Sequence, residues 1–169
     1  MSKNKPVVVI GLMGSGKTTA GLLIAEALGL PFSDSDLFLE ARHGGTAAQI
    51  AEREGADALH RYESEHVLKE LDGEPEVIAA AASTVEDPEV RAALARALVV
   101  WVDASDEVLA ERMKSSDHRP GFDPAEMRAR REPYFRAVAD LRCDVGELRP
   151  DQVRDATLRA LGLPAVPRD

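Results

Sequence analysis

The run Gly11-Leu12-Met13-Gly14-Ser15-Gly16-Lys17-Thr18 carries the spacing G-x-x-x-x-G-K-[ST]. At average glycine usage, a chance match in a chain of this size arises about 1% of the time. Gly11, Gly14 and Gly16 would let the backbone curl so that successive N–H groups, that of Ser15 among them, face an anion at the positive end of a helix dipole. Lys17 would then reach the β- and γ-phosphates of a nucleotide, and Thr18 would bind Mg²⁺. Asp34 and Asp36 form an acidic pair downstream, and Arg112, Arg119 and Arg131 follow it. Phosphoryl transfer needs cations to neutralise the migrating group and a carboxylate to orient the attacking hydroxyl, and these residue types supply both.

Such groups need a scaffold. Val7-Val8-Val9-Ile10, between Pro6 and Gly11, reads as a central parallel strand covered on both faces. From Lys17 to Leu28 the apolar residues recur at helical spacing, and Gly29 supplies a C-terminal cap. A brief strand follows Pro31-Phe32 and leads to the acidic pair. Residues 37–72 read as a helical insert broken by Gly44-Gly45 and Gly55. Further strands are expected at 77–79, 98–102 and 141–145, with helices at 87–97, 107–114, 125–139 and 151–161. Residues 115–124 are polar and turn-rich, as a lid would be. Strands alternating with helices imply an α/β fold: a three-layer P-loop domain with a central parallel sheet of about five strands. Ligands in such sheets bind at the carboxyl ends of the strands.

The chain has 169 residues, enough for one domain with its own core and no disulfide or structural metal. A net charge of −9 argues against nucleic acid or an anionic membrane as the main partner, although a few arginines can still make a local pocket for an anionic small molecule. Cys143 is the single cysteine, which suits a reducing cytosol. No apolar run suggests a membrane span or signal peptide, so a cytoplasmic protein is expected.

Beyond the phosphate loop the chain resembles the shikimate kinases over nearly its whole length. The match opens with Gly11 to Thr19, Gly21 and Leu28-Gly29, and continues through Phe32-Ser33-Asp34-Ser35-Asp36, similar to that family's F-x-D-x-D. Glu40, Gly44 or Gly45, Gly55 and Glu63 extend it. Arg119-Pro120 resembles the family's lid, Arg131-Glu132-Pro133-Tyr134-Phe135 its R-x-P-x-Y, and Pro150 the proline of its adenine loop. The resemblance implies that Thr18 and Asp34 hold Mg²⁺ and that Asp36 grips the substrate hydroxyls and helps remove a proton. It also implies that Thr19 joins the nucleotide site, Arg112 and Pro150 cover the adenine, and Arg119 neutralises the transferring phosphoryl group. Arg131 would pair with a substrate carboxylate, for which a guanidinium fork is suited. ATP and Mg²⁺ are the implied cofactors, aromatic amino acid biosynthesis the implied setting, and a monomer the implied state.

The departures fall on the acceptor side. Leu59-His60 stands where the family has F-R, with Arg61 one residue later, about 100° further round a helix. Ala81-Ala82-Ser83 aligns with three family glycines, Ala56 replaces a glutamate, and the interval from Arg119 to Arg131 is short. His60, Arg61, Ala81, Ala82 and Ser83 are therefore the candidates that shape the acceptor pocket, with Asp36 and Arg131. The expected activity is transfer of the γ-phosphoryl group to a hydroxyl of shikimate or a related polyhydroxylated acid. A nucleotide-binding homologue without catalysis, a nucleoside monophosphate kinase and a gluconate-type kinase are the alternatives.

Overall fold

The computed structural model describes residues 5–114 and 123–167. Five strands, β1 (Val7–Ile10), β2 (Phe32–Asp34), β3 (Val77–Ala79), β4 (Leu98–Asp103) and β5 (Leu141–Asp144), form one sheet in the order β2-β3-β1-β4-β5. Every pairing is parallel, with Val8 opposite Ile78 on one side and Val99 on the other. Around the sheet run α1 (Lys17–Leu28), α2 (Ser35–His43), α3 (Ala47–Glu54), α4 (Ala56–Leu71), α5 (Pro88–Ala93), α6 (Asp106–Lys114), α7 (Pro124–Val138) and α8 (Pro150–Ala160). Two short 3₁₀ turns, Ala82–Glu86 and Leu94–Arg96, flank α5.

Alternation along the strands sorts the core into two layers. Val8, Ile10, Ile78, Val99 and Trp101 face α4, α5 and α7 through Val67, Leu71, Val90 and Phe135. Val7, Val9, Val77, Val100 and Val102 point the other way, onto Ile24 and Leu28 of α1 and Val153 and Leu158 of α8. All four residues of β1 are buried, so its unbroken β-branched run reflects cover on both faces. A third cluster, Leu39, Ile50 and Leu59, pins α2, α3 and α4 to one another.

Local signals account for most element ends. Gly29 caps α1 in the left-handed conformation at φ +66°, where a Cβ would be disfavoured. Thr46 and Gln49 form a reciprocal capping box at the start of α3. Two expectations need correction. The helix expected at 87–97 ends at Ala93 and tightens into a 3₁₀ turn, because the backbone must extend at Ala97 for Leu98 N–H to reach Pro6 O. The second strand stops at Asp34, and Asp36 belongs to the first turn of α2.

Candidate active site

A cleft of about 1160 Å³ opens at the carboxyl ends of β1, β2 and β3. Its floor is the loop between β1 and α1, and here the glycines have steric work. Gly11 sits at φ +153°; a Cβ there would collide with the Val102 carbonyl oxygen and lie 2.6 Å from Ser15 Oγ. Gly14 and Gly16 also hold positive φ, and Gly16 is the N-terminal cap of α1. The loop therefore presents its backbone to the cleft at a helix N-terminus, where the first amides lack intrahelical acceptors. Ser15 Oγ is buried among them without a hydrogen-bond partner.

Lys17 Nζ donates to Gly11 O at 2.9 Å and to Leu12 O at 3.3 Å, so the ammonium is folded over the loop. Burial lowers its pKa to about 8, against the opposing pull of the Asp36, Glu63 and Asp34 carboxylates, while Arg131 adds to the lowering. Thr18 and Asp34 meet directly: Thr18 Oγ1 donates to Asp34 Oδ2 at 2.7 Å. The other carboxylate oxygen, Oδ1, accepts the Asp36 N–H at 2.8 Å and caps α2. One aspartate thus terminates β2, starts a helix and faces the phosphate loop. Beneath it Ser33 Oγ and His66 Nε2 lie 2.7 Å apart, and His66 is wholly buried with its pKa pushed down by that burial.

Asp36, Ala81, Ala82, Ser83 and Arg131 line the same cleft, as do Thr19, Arg112 and Pro150. Arg112 Nη1 donates to Gly14 O at 2.6 Å, which brings α6 onto the loop from the side opposite β2. Val145, Leu148 and Val153 stand with Pro150 as an apolar wall beside Arg112. Arg131 is 8% exposed, and its Nε donates to Glu86. Arg119 and most of the expected lid lie outside the described residues.

His60 and Arg61, expected in the acceptor pocket, are not among the residues lining the cleft. Glu63 is the α4 side chain that enters it, and two residues along a helix is a rotation of about 200°, so Arg61 faces away. Arg61 instead borders a shallow groove between α4 and α5, with Lys69 and Glu89. His60 is half-buried on α4, next in sequence to the buried Leu59.

Of two further residues, Glu63 lines the cleft without having been a sequence candidate, and Arg128 lies outside it. Glu63 is 4% exposed, and its Oε1 accepts a 2.8 Å hydrogen bond from Ser83 Oγ. Its place in a glycine-to-glutamate motif was the available signal. Arg128 has no motif. Its guanidinium reaches Asp106 at 2.7 Å and Asp103 at 2.9 Å and also bonds the Ala104 carbonyl, anchoring the start of α7 to the end of β4.

The site suits a magnesium nucleotide. Curled glycines, an unpartnered buried hydroxyl and a lysine match a polyphosphate, and the hydroxyl–carboxylate pair Thr18–Asp34 is the hard oxygen set that Mg²⁺ favours. A second carboxylate, Asp36, stands in the same cleft where a hydroxyl could be oriented.

Comparison with known proteins agrees with this chemistry. A family model described as shikimate kinase matches residues 13–162. A shikimate kinase of Symbiobacterium thermophilum is 40% identical over 146 residues, covering 80% of this chain and 84% of the relative. One from Zymomonas mobilis is 32% identical and covers 93% of each chain. The solved shikimate kinase of Acinetobacter baumannii in complex with shikimate superposes with a TM-score of 0.81 at 27% identity, covering 95% of each chain.

Proposed function

Because the chain belongs to the shikimate kinase family, we propose that it transfers the γ-phosphoryl group of ATP to a hydroxyl group of shikimate. The observation that carries this reading is the position of Lys17. Its ammonium lies over the phosphate loop and within electrostatic reach of Asp34, Asp36 and Glu63, so the donor cradle and the acceptor carboxylates share one cleft.

The loop from Gly11 to Thr19 cradles the polyphosphate, with Lys17 drawing charge from the β- and γ-phosphates. Arg112 and the apolar wall of Val145, Leu148 and Pro150 frame the adenine. Thr18 and Asp34 hold Mg²⁺, which when bound offsets phosphate charge. Asp36 accepts the hydrogen bond of the attacking hydroxyl and takes up its proton as the new O–P bond forms. The bond from the γ-phosphorus to the β-phosphate oxygen breaks, leaving ADP and a phosphate monoester. Arg119 matches the residue that would neutralise the migrating group. Arg131, buried in the cleft wall, pairs with the carboxylate of the acceptor. We place the enzyme in the cytoplasm as a monomer; its single thiol, Cys143, is buried.

Measuring ADP release with Mg·ATP and shikimate, quinate, gluconate or a neutral cyclitol tests the reading. Shikimate should give the highest kcat/KM. Nucleotide binding without release on any acceptor would point instead to a binding module that has lost catalysis, and release only with AMP or CMP to a nucleotide kinase.

A further inference from the structure

Glu86 closes the 3₁₀ turn after β3 and divides its carboxylate between consecutive arginines of α7. Oε1 accepts from Arg130 Nε at 2.6 Å, and Oε2 accepts from Arg131 Nε at 3.0 Å. The Arg130 side chain is 60% exposed, whereas that of Arg131 is 10% exposed and that of Glu86 22%. Burial pushes the Glu86 carboxyl up, but the two guanidinium groups outweigh it and hold its pKa below the ordinary glutamate value. Glu86 is therefore an anion throughout the neutral range. Arg131 lines the cleft and Glu86 is not among the residues that do, so the carboxylate grips the guanidinium from behind.

A guanidinium offers a carboxylate two bidentate edges, one through Nε and a neighbouring Nη and one through both Nη groups. Glu86 occupies Nε, and among the described residues no hydrogen bond takes the Nη groups, so the end-on edge is left for a ligand in the cleft. A residue competing with the ligand would sit on that remaining edge. We infer that Glu86 is a positioning residue that aims Arg131 end-on at the acceptor's carboxylate and thereby sets the preference for carboxylate-bearing over neutral polyhydroxy acceptors. This rests on the reading that Arg131 pairs with that carboxylate.

Steady-state kinetics of Glu86→Ala, Glu86→Gln and Arg131→Gln test it with two acceptors, shikimate and the analogue whose carboxylate is reduced to an alcohol, read as turnover or as competitive inhibition. Glu86→Ala should raise the shikimate KM about tenfold, with kcat and the ATP KM within twofold and the alcohol's affinity unmoved. Glu86→Gln, which keeps one amide oxygen for Nε, should recover part of the loss. An equal loss for both acceptors would mean a merely structural role. An unchanged or lowered shikimate KM would show that Glu86 is idle or competes, and either result overturns the inference. If Arg131→Gln itself fails to separate the two acceptors, the carboxylate reading fails. If it separates them and Glu86→Ala does not, only the role of Glu86 fails.

Discussion

Ser83 Oγ donates a 2.8 Å hydrogen bond to Glu63 Oε1, and both side chains are buried in the wall of the cleft. Ser83 stands where the family resemblance places a glycine, which has no side chain to make this bond. The bond fixes a carboxylate that also acts on Lys17. Removing the hydroxyl takes away a donor worth roughly 0.5–1.5 kcal/mol net. Ser83→Ala should therefore raise the shikimate KM roughly three- to tenfold while leaving the ATP KM unchanged, and Ser83→Thr should restore it. Equal shifts in both KM values would show that the bond supports the cleft as a whole.

The parts that sequence made legible are those set by neighbours along the chain. The β-branched run of β1, the phosphate loop and the Gly29 cap each depend on a few consecutive residues, and they form as expected. Arg61 shows what is not local: its distance from the cleft follows from the rotation of α4, fixed by Leu59 packing on Leu39 and Ile50. Arg131 shows it again. The i,i+4 pair next to it is Glu132 with Arg136, while Arg131 reaches Glu86 on a distant turn that nothing in its own segment announces. Such contacts depend on the strand order and on helix docking, which carry no short motif.

Asp34 serves both as helix cap and as partner of Thr18, and the two roles can be separated. Asparagine caps a helix as well as aspartate does, but it is a much poorer Mg²⁺ ligand. Asp34→Asn should keep the melting temperature nearly constant and raise the Mg²⁺ concentration needed for half-maximal rate roughly 10–100-fold, as loss of a metal-supporting group does elsewhere. An unchanged Mg²⁺ requirement would remove Asp34 from the metal site.

Asp36 lines the cleft, and on the proposed mechanism it takes the acceptor's proton, so its removal should act on the chemical step. Asp36→Asn should lower kcat by a factor of about 100 or more. A near wild-type rate would rule the role out.

Lys17 gives a pH signature. With its pKa lowered to about 8, a good part of the ligand-free protein carries a neutral amine at that pH. A polyphosphate restores the ammonium, so nucleotide binding should take up protons around pH 8 and almost none at pH 6.5, and affinity should weaken as pH rises above 8. Calorimetric titrations in buffers of different ionisation enthalpy measure that uptake directly. Lys17→Met should abolish both the uptake and the turnover while the circular dichroism stays native. Proton uptake that persists in the variant would assign it to another group.

Glu76 predicts a pH dependence of stability away from the site. Burial and the neighbouring Glu70 raise its pKa to about 8, and Oε1 is buried with no donor facing it. A protonated Glu76 can supply its own O–H to Glu70; an ionised one leaves two carboxylates side by side. The folded chain therefore binds more protons here than the unfolded chain between the ordinary glutamate pKa, about 4.5, and about 8. In that window ν_U − ν_N is negative, so this group's contribution to stability falls as pH rises through it. Glu76→Gln keeps the backbone bond from Val7 N–H to the residue 76 carbonyl and removes the titration. Urea unfolding of the ligand-free protein should show the variant more stable than wild type at pH 8, with the difference shrinking towards pH 5. A variant less stable than wild type at pH 8 would mean that the ionised carboxylate is satisfied in the fold.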